Sequence, residues 1–365
     1  MNLLKKLFKK EDEPIRTYAD FWNWFQKNER ALFKAIKTKD NIEKDFFDKL
    51  SPRLNELREG LHFVTGMQDD NTASLVLTAD GVIKNIAFIE ELVSAAPQIK
   101  GWEFIAHKPA QDMANANITM AGHEFHTGNL YFFSNDHKHL PDEIDITVVH
   151  NDLTEENKDS ITNGTYIFLD HCLGELNFAT IIDNVTVIGK DEAPKELIPI
   201  EKLKSYLTWR EKEFVEKYDH TLYNSEDDTF SGLEATTKNG KPLVAVINTT
   251  LLEWDGKASH PWIVVVEIKF EGTGDSGMPD NDTYVLLDKI EEEILKELPE
   301  AEGHLNIGRE TAENIREIYF ACKDFRKPSL VLPELLQQYA DKLELNFAIY
   351  KDKYWQSFNR FMNVE

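Results

Sequence analysis

From residue 18 the chain alternates between two hydrophobic periods. In YADFWNWFQKNERALFKAIK, Phe21, Phe25, Leu32 and Ile36 recur at helical spacing, and in NIEKDFFDKLSPRLNELREG so do Ile42, Phe46, Leu50, Leu54 and Leu57. Two amphipathic helices follow, the second with a break or a fresh first turn at Ser51-Pro52. After Gly60 the pattern changes. SLVLT (74–78) and WEFIAHKP (102–109) read as strands around a helix at 82–97. NITMA, NLYFFS and IDITVVH add strand-like pieces, and a helix near 154–174 and the strand NVTVIG complete the first half.

The second half begins after prolines 194 and 199 and a charged helix, EKLKSYLTWREKEFVEKY. PLVAVINTT and WIVVVEIKF are strands, and 281–298 is a helix with Leu287, Ile290, Ile294 and Leu298 on one face. A hairpin forms around Ala312 to Asn314, followed by the helix SLVLPELLQQYADKL, with Pro333 in its first turn, and the strand ELNFAIYKD. From Trp262 this order is β-α-β-β-α-β, the pattern of ferredoxin-like folds. The fold class expected is α+β, with two domains of antiparallel-rich sheets carrying helices on one face. The first has a similar order preceded by a helical pair. The boundaries read are a helical pair at 1–60, a first α+β domain at 61–195, a linker helix at 196–225 and a second α+β domain at 226–365.

Composition narrows the function classes. A chain of 365 residues exceeds what one core organises. Its two cysteines, Cys172 and Cys322, form no disulfide framework, which fits a reducing, cytoplasmic setting. The net charge is −24, and residues 61–200 carry 22 acidic against 7 basic groups, whereas 1–60 carry 11 against 14. Such a field repels nucleic-acid phosphate, so no direct nucleic-acid binding is expected. The start of the chain, with Leu3, Leu4, Leu7 and Phe8 among Lys5, Lys6, Lys9 and Lys10, is too short for a signal core or a stable membrane anchor.

Candidate chemistry is sparse. Gly272-Thr-Gly274-Asp-Ser-Gly277 spells G-x-G-x-x-G between a strand and a helix. A dinucleotide site needs its third glycine inside the helix start and an acid ending the next strand. Here the helix begins later, capped by Asp280 or Asp282, and the aspartates repel a diphosphate, so no cofactor is expected. Seven of the eleven histidines fall between 107 and 171. His123, His126, His137 and His139 are the metal candidates, although the three-residue spacing of the first pair points them to opposite faces. Arg309 and Arg316 flank the hairpin and could present guanidinium groups to an anion, or pair internally with Glu310, Glu317 or the acidic helix at 291–293.

The stretch from about 228 onward resembles the family called domain of unknown function 695. The likeness rests on DSGMPDNDTYVLLDKIEE, IGRETAENIREIYFAC and DKYWQSFNRFM. It implies Gly277, Pro279, Gly308, Arg309, Arg316, Tyr319, Asp352, Trp355 and Phe358 as pattern positions, a bacterial cytosolic protein, and no established activity. Arg309, Arg316, Tyr319, Asp352 and Trp355 are then the candidate functional surface. The expected function is a non-catalytic regulatory or interaction module that meets a protein partner, a basic one if the acidic field steers it. The alternatives are an inhibitor or immunity-like protein binding a basic nuclease, and a hydrolase or metal-dependent enzyme using the histidine-rich region.

Overall fold

A computed structural model describes residues 13–362, so the basic and apolar stretch at Leu3 to Lys10 lies outside the described residues. The chain divides into two compact units, Met1–Lys108 and Pro109–Glu365, each mixing helices with sheets.

In the first unit, α1 (Tyr18–Thr38) starts at a capping box: the Thr17 hydroxyl accepts the Asp20 amide at 3.1 Å and the Asp20 carboxylate accepts the Thr17 amide at 2.9 Å. A π turn at Glu43–Phe47 leads into α2 (Asp48–Leu57), which contains Pro52. The irregularity lies one turn before the expected break, because Pro52 has no amide to offer Asp48 and the widened turn precedes that residue. Strands β1 (His62–Met67), β2 (Ala73–Thr78) and β3 (Trp102–Ala106) form a sheet in that order. Its first pair is antiparallel and its second parallel, the crossover being α3 (Ile83–Ser94). Phe25 packs on Trp102 at 4.8 Å and on Phe104 at 5.3 Å, and Phe46 packs on Phe63 at 5.8 Å. The helical pair and the strands therefore share one core. A boundary at residue 60 would cut through it.

The second unit opens with the hairpin β4 (Asn117–Met120) and β5 (His123–His126). Strands β6 (Leu130–Ser134), β7 (Asp145–His150), β8 (Asn184–Gly189) and β9 (Ile198–Pro199) form a sheet in the order β8-β7-β6-β9, accompanied by α4 (Lys158–Leu173) and α5 (Glu175–Thr180). Phe125, Phe132, Ile146, Val148, Phe168 and Leu169 fill its core. Leu203 and Leu207 of α6 (Leu203–Tyr218) join them, so the helix expected as a linker is a packed part of this layer.

The remaining sheet contains β10 (Phe230–Thr236), β11 (Pro242–Asn248), β12 (Trp262–Lys269), β13 (His304–Ala312), β14 (Ile315–Cys322) and β15 (Glu344–Lys351). Its order is β10-β11-β13-β14-β12-β15, antiparallel throughout. The short α7 (Thr249–Leu252) follows β11, α8 (Asn281–Glu297) follows β12 and α9 (Arg326–Gln337) follows β14. Pro328, not Pro333, occupies the first turn of α9, and Pro333 lies in its interior. The β13–β14 turn is Glu313-Asn314, with φ of 50° and 72°, the two positive values of a type I′ hairpin. Leu287, Ile290 and Ile294 of α8 are buried, and α8 covers the sheet face that bears Arg309 and Arg316. On the opposite face Ile263, Ile307, Tyr319 and Ala321 pack with Trp355, Phe358 and Phe361 from the end of the chain.

Candidate functional site

Strand register places three glutamates side by side. Glu310 of β13 lies opposite Glu317 of β14, and Glu317 lies opposite Glu267 of β12, which in turn faces Asn346 of β15. The row depends on a bulge between Asn306 and Gly308 that shifts β13 by one residue. Only glycine suits that position: φ is 131°, and a Cβ on Gly308 would sit 2.1 Å from the Val246 carbonyl oxygen. Beyond the bulge Arg309 and Thr311 face α8, and Glu310 faces the other way.

The row borders an open cavity of about 330 Å³ lined by Glu267, Glu317, Tyr319, Tyr350, Phe358 and Arg360. Tyr319 donates its hydroxyl to Glu317 at 2.5 Å, and burial followed by the charge of Glu317 pushes that hydroxyl's pKa up. Arg360 enters from the C-terminal turn. Its guanidinium donates to the Tyr319 hydroxyl at 3.1 Å and to Glu310 at 3.5 Å, and it lies 4.4 Å from the centre of the Phe361 ring. Burial raises the pKa of Glu310, Arg360 opposes that shift and the charge of Glu317 adds to it. Lys269 reaches Glu267 at 3.7 Å but sits closer, at 2.6 Å, to Glu344. Like charges opposite each other in adjacent strands cost about 0.2–1 kcal/mol relative to neutral pairs. The sheet keeps this arrangement at two successive pairings.

The sequence-predicted residues separate into three settings. Tyr319 belongs to the row. Asp352 holds the turn that delivers Arg360, accepting the Gln356 and Ser357 amides at 2.9 Å each. Trp355, 1 % exposed with φ of 54°, donates its indole N–H to the His260 carbonyl at 2.9 Å and anchors the same turn. Arg309 and Arg316 are on the covered face. Arg316, 2 % exposed, donates to Asp288 at 2.8 Å and to Thr311 at 3.1 Å, and Arg309 donates to Glu291 at 2.8 Å. Their partners are the acidic groups of α8, as the internal-pairing alternative expected. Glu267 and Arg360 were not singled out from the sequence, and Glu310 and Glu317 only as possible partners of Arg309 and Arg316, from which their place on the other face separates them. The signal that marks them is register, which becomes visible once Glu310, Glu317 and Glu267 are aligned through the hairpin and its bulge.

Several of the other candidates have structural partners. The Asp280 carboxylate caps α8 by accepting the Thr283 amide at 2.8 Å. The glycine loop braces the β13–β14 turn: the Gly277 carbonyl accepts the Asn314 amide at 2.9 Å, and a Cβ on Gly272 would meet Asn314 Oδ1 at 2.3 Å. His137 pairs with Asp145 at 2.7 Å, His126 Nδ1 accepts the Gly128 amide at 3.0 Å, and His139 is exposed. Among the described residues, no group of three His, Cys, Asp or Glu side chains is placed to hold a metal. Ser259 lies 2.8 Å from His260 Nδ1, yet burial depresses the His260 pKa to about 3, too low for an effective base near neutral pH. Burial pushes the Cys172 thiol up to about 11 and raises Cys322 as well. Among the described residues, no helix is long and apolar enough to cross a membrane.

Residues 234–363, which contain every member of the acidic row, match the sequence profile of a family of unknown function, DUF695. The C-terminal part of the chain carries this domain. Its span runs from within β10 to the C-terminal turn, so the row, the bulge and Arg360 are all features of the DUF695 region. Comparison with curated proteins and with solved structures finds no match.

Proposed function

We propose that the protein is a non-catalytic interaction module whose C-terminal sheet receives a basic segment of a partner protein at the Glu310–Glu317–Glu267 row. The contact of Arg360 with Glu310 and Tyr319 carries this reading, because it displays an arginine side chain docked on the row from the chain's own end. Arg360 pairs with Glu310, and Lys269 is drawn more closely to Glu344 than to Glu267, which leaves a local excess of negative charge beside an open cavity lined by Glu267 and Glu317. The edge strand β15 lies alongside, with Tyr350 and Asn346 at the cavity, so an extended segment can add backbone hydrogen bonds there while a long basic side chain reaches across β15 to the Glu267 end of the row. A basic nuclease is one partner of this chemistry, and the inhibitor reading is a special case of the same site. The strand order β15-β12-β14-β13, with α8 and α9 as crossovers, supports a ferredoxin-like arrangement extended by β10 and β11.

The test is fluorescence anisotropy with a labelled peptide of alternating arginine and valine. Binding should be saturable, weaken steeply with salt, and fall about tenfold, or 1.4 kcal/mol, in Glu317→Gln. A Glu317→Gln protein that binds the peptide as the parent does would sink the reading.

A further inference from the structure

The six-stranded sheet ends in two different edges. At one edge β15 carries a charged residue at each end, Glu344 and Lys351. At the other, β10 runs for 7 residues, FSGLEAT, in unbroken register with β11. It contains no lysine, no proline and no bulge, the features that keep an exposed edge from pairing. Among the described residues, no strand lies on the outer side of β10. The ladder fixes which groups face outward. The Thr249 amide donates to the Thr229 carbonyl at 3.1 Å, and the Thr237 amide donates to the Lys241 carbonyl at 2.8 Å, one bond at either end of the strand. Antiparallel alternation then bonds Ser231, Leu233 and Ala235 to β11 and turns the N–H and C=O groups of Phe230, Gly232, Glu234 and Thr236 outward.

A strand that pairs antiparallel with its own copy must be self-complementary, and β10 is. With Leu233 on the twofold axis the whole strand overlaps its copy: Phe230 lies beside Thr236, Gly232 beside Glu234 and Ser231 beside Ala235. The outward-facing residues are thereby matched with one another, so each such pair exchanges two backbone hydrogen bonds. Glu234, the one charged residue of the strand, meets a glycine rather than a second glutamate. The flanks match as well. Glu226 and Asp227 precede the strand, and Lys238 and Lys241 follow it, so antiparallel pairing brings the acidic flank of each copy to the basic flank of the other. Among the described residues, Asp227, Lys238 and Lys241 have no ion-pair partner within the chain. Phe230, 46 % exposed, is an apolar side chain that such pairing would cover in part.

We propose that the outer edge of β10 pairs antiparallel with β10 of a second copy of this chain, joining the two sheets across a twofold axis at Leu233. The interface is isologous, the same edge serving both copies, and it closes on itself at a dimer. It lies at the opposite edge of the sheet from β15, so it stands apart from the acidic row and leaves that site open.

Sedimentation equilibrium of the full chain tests the proposal, and a reversible dimer should form with a Kd below about 50 μM. Gly232→Pro removes an outward N–H without removing a bond to β11, so it should weaken the dimer at least about tenfold while the circular dichroism spectrum stays the same. A cross-link reads the register. Leu233→Cys sets two thiols at a non-hydrogen-bonded pair, where the Cα atoms lie about 4.5 Å apart, and oxidised glutathione should join them. Ala235→Cys faces Ser231 of the other copy and should cross-link at least about tenfold more slowly. Cys172 and Cys322 are buried and do not compete. The proposal is overturned if the chain stays monomeric up to about 200 μM, well above the expected Kd. It is also overturned by a dimer that Gly232→Pro leaves unchanged, or by Leu233→Cys cross-linking no faster than Ala235→Cys.

Discussion

The two faces of the six-stranded sheet use the same residue types to opposite ends. On the face beneath α8, Arg309 and Arg316 meet Asp288 and Glu291, two cations against two anions, in a covered layer. On the other face Glu267, Glu310 and Glu317 stand side by side, and of the cations there Arg360, whose side chain is 49 % exposed, pairs with Glu310 and Lys269 lies at longer range from Glu267. A buried cluster tolerates no imbalance, because an uncompensated charge there costs several kcal/mol. An open one can carry an excess, since water and counterions screen it. Balance therefore marks the covered cluster as structural, and the imbalance of the open row is what the proposed partner would offset.

The largest expected effect breaks the balanced side. Arg316→Leu leaves Asp288 and Glu291 short of a partner and should cost about 3–5 kcal/mol in denaturant unfolding. If the loss is below about 1 kcal/mol, the covered cluster is no more demanding than a surface pair and the contrast fails.

Acid sharpens the comparison next. Burial depresses His260 to about 3 and His304 to about 4, from an ordinary value of 6.5. The unfolded state therefore takes up protons that the folded state refuses as pH falls from 6.5. Stability present above pH 6.5 is lost between there and about pH 3 to 4, by on the order of 3–5 kcal/mol for each histidine. Unfolding followed against pH in His304→Gln should show a shallower decline. An unchanged profile would move the acid sensitivity elsewhere.

The third effect concerns the open row. Glu317→Gln keeps an acceptor for Tyr319 and removes the central charge of the three, so melting should show a gain of about 0.5–1 kcal/mol. The same change should weaken a basic peptide about tenfold, or 1.4 kcal/mol. Stability and binding moving in opposite directions would separate a functional row from a packing feature. The smallest effect is at the rim: Arg360→Gln should alter stability by less than about 1 kcal/mol and make peptide association faster, since the competing guanidinium is gone.

Legibility followed burial. Strands with continuous apolar runs, such as WIVVVEIKF for β12 and IREIYFAC for β14, were readable, and so were helices with a clean stripe, such as Leu287, Ile290 and Ile294. Strands β1 and β10 were not. HFVTGM and FSGLEAT end or border their sheets and keep much of their surface exposed, so selection for a core leaves little period in them. The hairpin was recognised, but its turn residues Glu313 and Asn314 do not disclose the bulge at Gly308. Without that bulge the alignment of Glu310 with Glu317 cannot be written down.

Local sequence by itself determined the elements whose driving force is local: the Thr17–Asp20 capping box, the Asp280 cap and the apolar stripes of α1 and α8. It also determined that Arg309 and Arg316 would have acidic residues within reach, because α8 is rich in them. Tertiary structure alone decided where the compact units divide, since contacts across the 60/61 boundary join Phe46 to Phe63 and put both sides in one core. It alone decided which glutamates stand together, because Glu267 is 43 residues before Glu310 and only sheet pairing through Glu317 makes them neighbours. The physical reason is the range of the forces involved. Caps and helix periods act over one or two turns, whereas register is set by the summed pairing of whole strands.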